Sequence, residues 1–447
     1  MATPAPAPRL WPLAWPLFIE IGLGIAIGVL GTAMAARQGD GAAAAFALAH
    51  HVLGMLFIFF RIIGAGIAAV LAQNLGAGRR AVADAVARAA LGASSWIGSA
   101  CMLAALAGAP LWMSLFNAPA DVRPLAQPFL QWLAPALLFD AWNASMAAVM
   151  RSHLRARDAL AVVLAMHATH LLLMLWWMPA LGLPGFALAL MASRVLGLAL
   201  HLWLWRLRLQ LRPAAADFWR LPRAELAALL HIGLPGAAEN IAYRLSFTAS
   251  VAVVGGLGAQ ALATHAYVTQ ISAAALLFGL ATGLSVEILV AHLVGAARLH
   301  EAQRLVKRAL GLSLLVSVLV TGAVALAAPW LLARFTQDGQ IIALGATLLV
   351  WQMLLEPGRT FNIVVINALR AAGDARFPVL VGAGSMVVVL AGGSWLLGQL
   401  LGLGLVGVWI AYSADEWLRG LIMWRRWQRL GWVPHARQAR RRLARAG

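Results

Sequence analysis

Charge is scarce in this chain. Asp, Glu, Lys and Arg make up 11% of its 447 residues, where a soluble domain carries roughly 25%. That shortage excludes the string of two or three water-soluble domains that the length alone would allow. Cysteine is nearly absent as well. The one residue, Cys101, lies inside an apolar run, so an intrachain disulfide is impossible. No cleavable signal peptide is recognisable at the N-terminus, where a proline-rich stretch with a single Arg leads straight into a long apolar segment, and transit-peptide character is missing too. Long polar stretches are also lacking: only 206–226 is extended enough to join two halves.

What is abundant is apolar. Hydrophobic residues account for 62%, with 42 Gly and 19 Trp. Trp favours membrane interfaces, and Gly is commoner in membrane helices than in soluble ones. A membrane helix needs about 20 mostly apolar residues. Twelve such runs are present, at 12–36, 46–72, 88–114, 128–150, 159–179 and 184–205, then 227–254, 262–294, 308–333, 343–368, 377–399 and 402–424. The expected fold is an all-α polytopic membrane protein. Its parts are an N-lobe (1–205), a cytoplasmic linker that is partly amphipathic helix (206–226), a C-lobe (227–424) and a basic tail (425–447).

The net charge of +18 can signify nucleic-acid binding, but here the basic residues fall in short clusters between apolar runs. Loops after the even-numbered runs, together with the tail, hold 25 Lys and Arg, whereas loops after the odd-numbered runs hold only Arg37, Arg123 and Arg334. Basic loops stay on the cytoplasmic side. This alternation requires an even number of spans with both termini cytoplasmic, and it points to the cell (inner) membrane. The tail, with eight Arg from Arg425 to Arg445, is expected either to lie solvated or to bind anionic lipid.

The two halves resemble each other. Pro16 and Glu20 open the first run as Pro235 and Glu239 open the seventh. ALAHH (47–51) matches ALATH (261–265), and AQNLGAGR (72–79) matches AHLVGAAR (291–298). Pro135 and Phe139 match Pro357 and Phe361, and Arg151 matches Arg370. Six spans per half make these parallel repeats, an arrangement common in transporters with the substrate site between the halves.

These motifs also carry a family resemblance. GAGIAAVLAQNLGAGRR (64–80), its counterpart GLSVEILVAHLVGAAR (283–298), NALRAAGD (367–374) and GLGLVGVWIAYSADEWLRG (402–420) together resemble the multidrug and toxic compound extrusion (MATE) family, over nearly the whole chain and in order. The resemblance implies a V-shaped pair of six-helix lobes. It also implies export of cationic or amphipathic small molecules, driven by H⁺ or Na⁺ with no other cofactor. The chain departs from the family at one place: where much of the family has an Asp in the first helix, it has Gly31-Thr32. Coupling is therefore expected to rest on Glu20 or on the second half.

A charge at mid-membrane costs at least about 2.5–3.5 kcal/mol on insertion scales, so ionisable groups there are paired or functional. Glu20 and Glu239, each one turn beyond a proline, are the leading candidates, because a buried carboxyl group is suited to carrying a proton. The competing reading pairs them structurally with Arg61 or Arg244. Arg61 itself is expected to pair with a carboxylate. Asn240 and Tyr243 neighbour Glu239 and line the same cavity or simply pack. Glu287 lacks a repeat-related partner and is a candidate for coupling or substrate binding. Glu356 and Arg359 share a helix face, as do Asp415 and Arg419; for both pairs a structural clamp competes with a functional role. Arg194 occupies the position of Glu416, suggesting an ion pair between or within lobes. Asp140 and Asn143 are candidates to line the N-lobe cavity. His167 and His170 lie three apart, but no third ligand accompanies them, so no metal site is expected; His265 is a candidate gate residue.

The partners implied are a small-molecule substrate and the lipid bilayer, with no nucleic acid, and a monomer suffices. Three other activities compete. A flippase for lipid-linked saccharides or other polar lipids would need a cationic cavity, for which Arg61, Arg244 and Arg359 are available. A membrane enzyme would need a nucleophile and base converging, and no such arrangement, HExxH motif or glycine-rich phosphate loop is present. The third is a channel.

Overall fold

The computed structural model describes residues 9–445; within that range the side chains of Arg61, Arg440 and residues 442–445 fall outside the description. Among the described residues there is no strand. The first six long helices are α1 (Trp11–Ala36), α2 (Asp40–Gly76), α3 (Arg80–Leu106), α4 (Arg123–Ser152), α5 (Ala156–Leu181) and α6 (Leu183–Leu204). The second six are α7 (Arg223–Gly256), α8 (Ala259–Gly295), α9 (Leu299–Leu326), α10 (Gly339–Ala371), α11 (Arg376–Leu400) and α12 (Gly404–Gln428), followed by a terminal helix α13 (Val433–Arg445). Among the described residues, ten of the twelve long helices contain a stretch long and apolar enough to cross a membrane. The other two, α7 and α12, carry Glu239 and Arg244, and Asp415, Glu416 and Arg419, within their length.

The repeat expected from sequence is visible in the backbone. α2 and α8 are both 37 residues long. Each is preceded by a glycine in the left-handed region, Gly39 at φ 117° and Gly258 at φ 105°, where a Cβ would be strained. The turn after α2 is made by Gly78 at φ 75°, and the matching turn after α8 by Ala297 at φ 63°. Short helices Ala109–Leu115 and Ala328–Leu332 follow α3 and α9, each with a proline in its first turn. These landmarks correct the sequence register of α8. The two N-caps place His265 opposite Phe46, so the match of ALAHH with ALATH is out of step and His51 is not the counterpart of His265.

Each half is built around its fourth helix. In the first, α4 packs against α2, α3 and α6, and α5 packs on α6; in the second, α10 packs against α8, α9 and α12. Serine and threonine hydroxyls bond back to carbonyls one turn earlier, as Ser95 does to Leu91, Ser285 to Ala281 and Ser413 to Trp409. This satisfies polar groups where no water is available. From Met386 the glycine-bearing α11 widens into π-helical turns that continue to Leu400, a departure often found beside functional groups.

By compactness the chain divides into Trp15–Leu234 and a second unit beginning at Pro235, with which residues 9–14 are grouped. The division therefore falls at a proline inside α7, later than the 206–226 segment proposed from sequence. The reason is close packing. A Cβ on Gly233 would stand 1.9 Å from the carbonyl oxygen of Ile62, and one on Gly66 2.5 Å from that of Leu229, so the first turns of α7 lie against α2.

The linker is not an amphipathic helix. It is a π-turn at Trp205–Leu209, an extended stretch and a 3₁₀ turn at Ala215–Phe218. It is strapped to the first unit by Arg80, which donates to the Leu209 carbonyl, and by the Trp96 indole, which donates to the Trp219 carbonyl. Gly92 makes the strap possible, since a Cβ there would lie 1.9 Å from the Arg220 carbonyl oxygen. Gly92→Ala gains up to about 1 kcal/mol of helix propensity, but overpacking costs about 1–3 kcal/mol. The variant is therefore expected to melt at a lower temperature than the parent in a detergent thermal-unfolding assay.

Candidate functional site

Both leading carboxylates are paired, though not with the arginines proposed from sequence. In the first half Glu20 receives two hydrogen bonds from the Arg151 guanidinium, at 2.8 and 3.1 Å. In the second, Glu239 receives one from Arg370 at 2.5 Å. Each pair joins the first and fourth helices of its half, and the partners are 131 residues apart in both. Arg244 is exposed on α7 and is not the partner of Glu239. Arg61 lies on α2 with its side chain outside the described residues, and Glu20 is held by Arg151 instead.

This shared spacing also resets the register of the fourth helices. It sets Asp140 opposite Arg359 and Asn143 opposite Asn362, in place of the alignment through Pro135 and Phe139. Asp140 pairs with Arg194 of α6 at 2.5 Å, and Asn143 donates to the Arg194 carbonyl at 2.9 Å while contacting His201 at 2.9 Å. In the second half Arg359 pairs with Glu416 of α12 at 3.4 Å, and Asn362 donates to Glu416 at 2.8 Å. The same fourth-to-sixth helix link thus occurs twice with its charges exchanged. Arg194 and Glu416, matched from sequence, do not pair with each other; each pairs within its own half.

The second half extends this link into a buried network. Arg359 also holds Glu356 at 2.7 Å. Arg419 bridges Glu416 at 3.0 Å and Asp415 at 2.6 Å, and Ser385, where α11 turns π-helical, donates to Asp415 at 2.6 Å. Tyr243 stacks on Phe247. Three carboxylates, Glu356, Asp415 and Glu416, face two guanidiniums, Arg359 and Arg419, and the Glu356 side chain is 0% exposed. One Glu356 oxygen, Oε2, is buried without a hydrogen-bond partner. The surplus negative charge needs a proton or a cation, because burying an unpaired carboxylate is costly.

Asn240, Glu287 and the histidines are the remaining candidates. Asn240 bonds back to the Gly236 carbonyl of its own helix, and Glu287 is buried within α8. His167 and His170 share a helix face, but among the described residues no three His, Cys, Asp or Glu are grouped to hold a metal. His265 lies 3.4 Å from the Tyr412 hydroxyl within an aromatic cluster that includes Phe247 and Trp409.

The repeat has a counterpart among known proteins. The model of the MatE family matches this chain twice, at residues 16–176 and 235–395. The chain belongs to the MatE family. The two matches begin at Pro16 and Pro235 and are displaced by the same number of residues as the two Glu–Arg pairs. A relative in Bacillus subtilis, described as the uncharacterized transporter YisQ, is 32% identical over 434 residues, covering 95% of this chain and 94% of its own. A probable multidrug resistance protein NorM of Bradyrhizobium diazoefficiens is 29% identical over 437 residues, covering 92% and 91%. Among solved structures, an outward-facing multidrug resistance MATE family transporter superposes with a TM-score of 0.87 at 17% identity, covering 95% of this chain and 96% of its own. The chain is accordingly an all-α, multi-pass membrane transporter of two related six-helix halves.

At Gly31, where the resemblance leads to an expected Asp, close packing leaves no room for a longer side chain. At Gly31 a Cβ would strike the Phe46 ring at 2.7 Å and the Phe186 ring at 3.0 Å. The rings that exclude a carboxylate at Gly31 form a cluster with Phe129 and His50.

Sequence reasoning missed four residues of these sites. Arg151 and Arg370 were counted as loop charges, although their equal distance from Glu20 and Glu239 was the available signal. Ser385 and Asn362 had no sequence signal, since isolated polar residues are common in membrane helices.

Proposed function

We propose that this transporter is an exporter of cationic or amphipathic small molecules, and that inward flow of H⁺ or Na⁺ through the C-lobe carboxylate network drives it. The observation that carries this reading is the surplus carboxylate, with Glu356 Oε2 buried and lacking a hydrogen-bond partner. Binding a cation there removes the excess charge. The ion-loaded and ion-free states then differ in the energy of the link between α10 and α12, which is how a ligand shifts a conformational equilibrium. The two N-lobe pairs, Glu20–Arg151 and Asp140–Arg194, are balanced one to one. The names of the relatives, among them NorM and the multidrug resistance protein PmpM of Pseudomonas aeruginosa, support export of drug-like compounds. The flippase reading asks for a cationic cavity built from Arg61, Arg244 and Arg359; of these Arg359 is committed to two carboxylates and Arg244 is exposed on α7. The alternation of Lys and Arg between loops supports an inner-membrane location with both termini in the cytoplasm, and a monomer is sufficient.

The test is ethidium uptake into inverted membrane vesicles under an imposed H⁺ or Na⁺ gradient. The parent protein should take up dye under one of the two gradients. Glu356→Gln keeps the size of the side chain but removes the titratable charge, and uptake should fall to the level seen without a gradient. Uptake by Glu356→Gln equal to the parent's would remove Glu356 from the coupling site, and no parental uptake under either gradient would count against drug export.

A further inference from the structure

The chain beyond Glu416 contains no acidic residue, yet it is folded. After α12 it reverses at Leu430, φ 58°, and Gly431, and α13 returns toward the turn between α10 and α11. Trp432 is fully buried, stacked on Trp427 at 4.3 Å with planes 8° apart, and its indole donates to the Trp427 carbonyl. Arg426 is held by Asp374 at 2.5 Å, lies over the Phe377 ring at 4.1 Å and meets His435 at 3.3 Å. Ala436 is buried on the same side, and Gly373 lies beside the His435 backbone. The tail is thus a docked helical hairpin whose one nearby carboxylate, Asp374, is already engaged by Arg426.

The outer face of this hairpin is different. Arg425 and Arg429 at the end of α12, and Arg437 and Arg441 on α13, are all exposed. Each pair is spaced by one turn, so each presents two guanidiniums on one helix face. Among the described residues none of the four has a carboxylate partner within ion-pair distance. Beside them Leu421 is 53% exposed and Leu430 46% exposed. Uncompensated guanidiniums next to exposed apolar side chains, at the end of a membrane-crossing helix, match an acyl-chain boundary with anionic headgroups above it. Guanidinium is also the cation best shaped for bidentate contact with phosphate.

The geometry points to a binding site for anionic phospholipid headgroups on the α12–α13 hairpin, with Arg425, Arg429, Arg437 and Arg441 as its phosphate ligands. Because His435 of α13 meets both Asp374 of the α10–α11 turn and Arg426 of α12, lipid bound there holds that turn and the end of α12 together. The assignment is independent of the transported compound and of the coupling ion.

The experiment uses the full-length protein, delipidated and titrated with phosphatidylglycerol or phosphatidylcholine, with bound lipid counted by mass spectrometry. Thermal unfolding is measured in nanodiscs of each lipid. The parent should prefer phosphatidylglycerol and melt higher in it. Removing one guanidinium is worth about 1 kcal/mol near an anionic surface, about fivefold in affinity, so Arg437→Gln with Arg441→Gln should lose about 25-fold. These surface substitutions leave Trp432, Arg426 and Asp374 in place, and an unchanged melting temperature in phosphatidylcholine will confirm that the hairpin still folds. Equal retention of the two lipids by the parent overturns the proposal, as does a preference that survives the double substitution. If inorganic phosphate in phosphatidylcholine nanodiscs reproduces the full stabilisation, the site is one for free phosphate and the lipid assignment fails.

Discussion

Arg419→Met is expected to leave little folded protein in the membrane fraction. Arg419 has a side chain only 4% exposed and is the sole bridge between Asp415 and Glu416, at 2.6 and 3.0 Å. Without it, three buried carboxylates would face Arg359 alone. Breaking a buried ion pair by removing one partner costs about 3–5 kcal/mol, a large part of the roughly 5–15 kcal/mol that holds a typical protein together. Thermal unfolding of detergent-solubilised protein, read by size-exclusion chromatography after heating, measures the loss. Two companion variants separate charge from packing. Arg419→Lys keeps the charge but not the fork that reaches two carboxylates, and should recover only part of the stability. Adding Asp415→Leu to Arg419→Met removes one stranded carboxylate and should recover more. If Arg419→Met melts with the parent, the network is not a buried ion cluster and the account of its surplus charge collapses with it.

The two repeat-related pairs give the second large effect, and their difference in burial sets its size. Arg370 and Glu239 have side chains 11% and 9% exposed, against 17% and 22% for Arg151 and Glu20. Arg370→Met should therefore destabilise by about 3 kcal/mol or more, in the manner of a buried pair. Arg151→Met should cost less, between that value and the roughly 1 kcal/mol of an exposed pair. Reversing the pair, Glu239→Arg with Arg370→Glu, should regain stability relative to either single reversal, and a double-mutant cycle yields the coupling energy directly. Equal, small effects in both halves would mean that solvent screens both pairs and that neither holds its first helix to its fourth. This test also bears on transport. Glu239→Gln leaves Arg370 without its carboxylate, so any loss of uptake in that variant must be compared with its melting temperature before Glu239 is given a role in coupling.

Much of the fold was legible from composition and periodicity. Twelve apolar runs became twelve long helices, because a helix that must meet its backbone hydrogen bonds without water needs a long apolar stretch, and such stretches are hard to hide in a sequence. The repeat was legible from local motifs, but its register was not. ALAHH and ALATH look alike, yet the glycine caps at Gly39 and Gly258 show them to be out of step, and Pro135 and Phe139 likewise gave way to the spacing of the ion pairs. Short apolar motifs recur by chance in an alphabet rich in Ala, Leu and His, whereas a positive-φ glycine is pinned by backbone geometry.

The identity of charge partners was the least legible feature. Candidate carboxylates can be read from a sequence because a charge inside an apolar run is conspicuous. Their partners cannot, because Arg151 and Arg370 stand at helix ends and look like ordinary loop charges. Side chains as long as arginine reach back from a helix end into the membrane-crossing segment, and only the tertiary placement of Glu20 and Glu239 determines where they arrive. By itself, then, the sequence determined the helical membrane architecture, its internal duplication and the presence of more carboxylates than a bilayer tolerates unpaired. Only the tertiary structure decided which of them are neutralised in pairs and which share two guanidiniums among three, because that depends on distances between helices far apart in the chain.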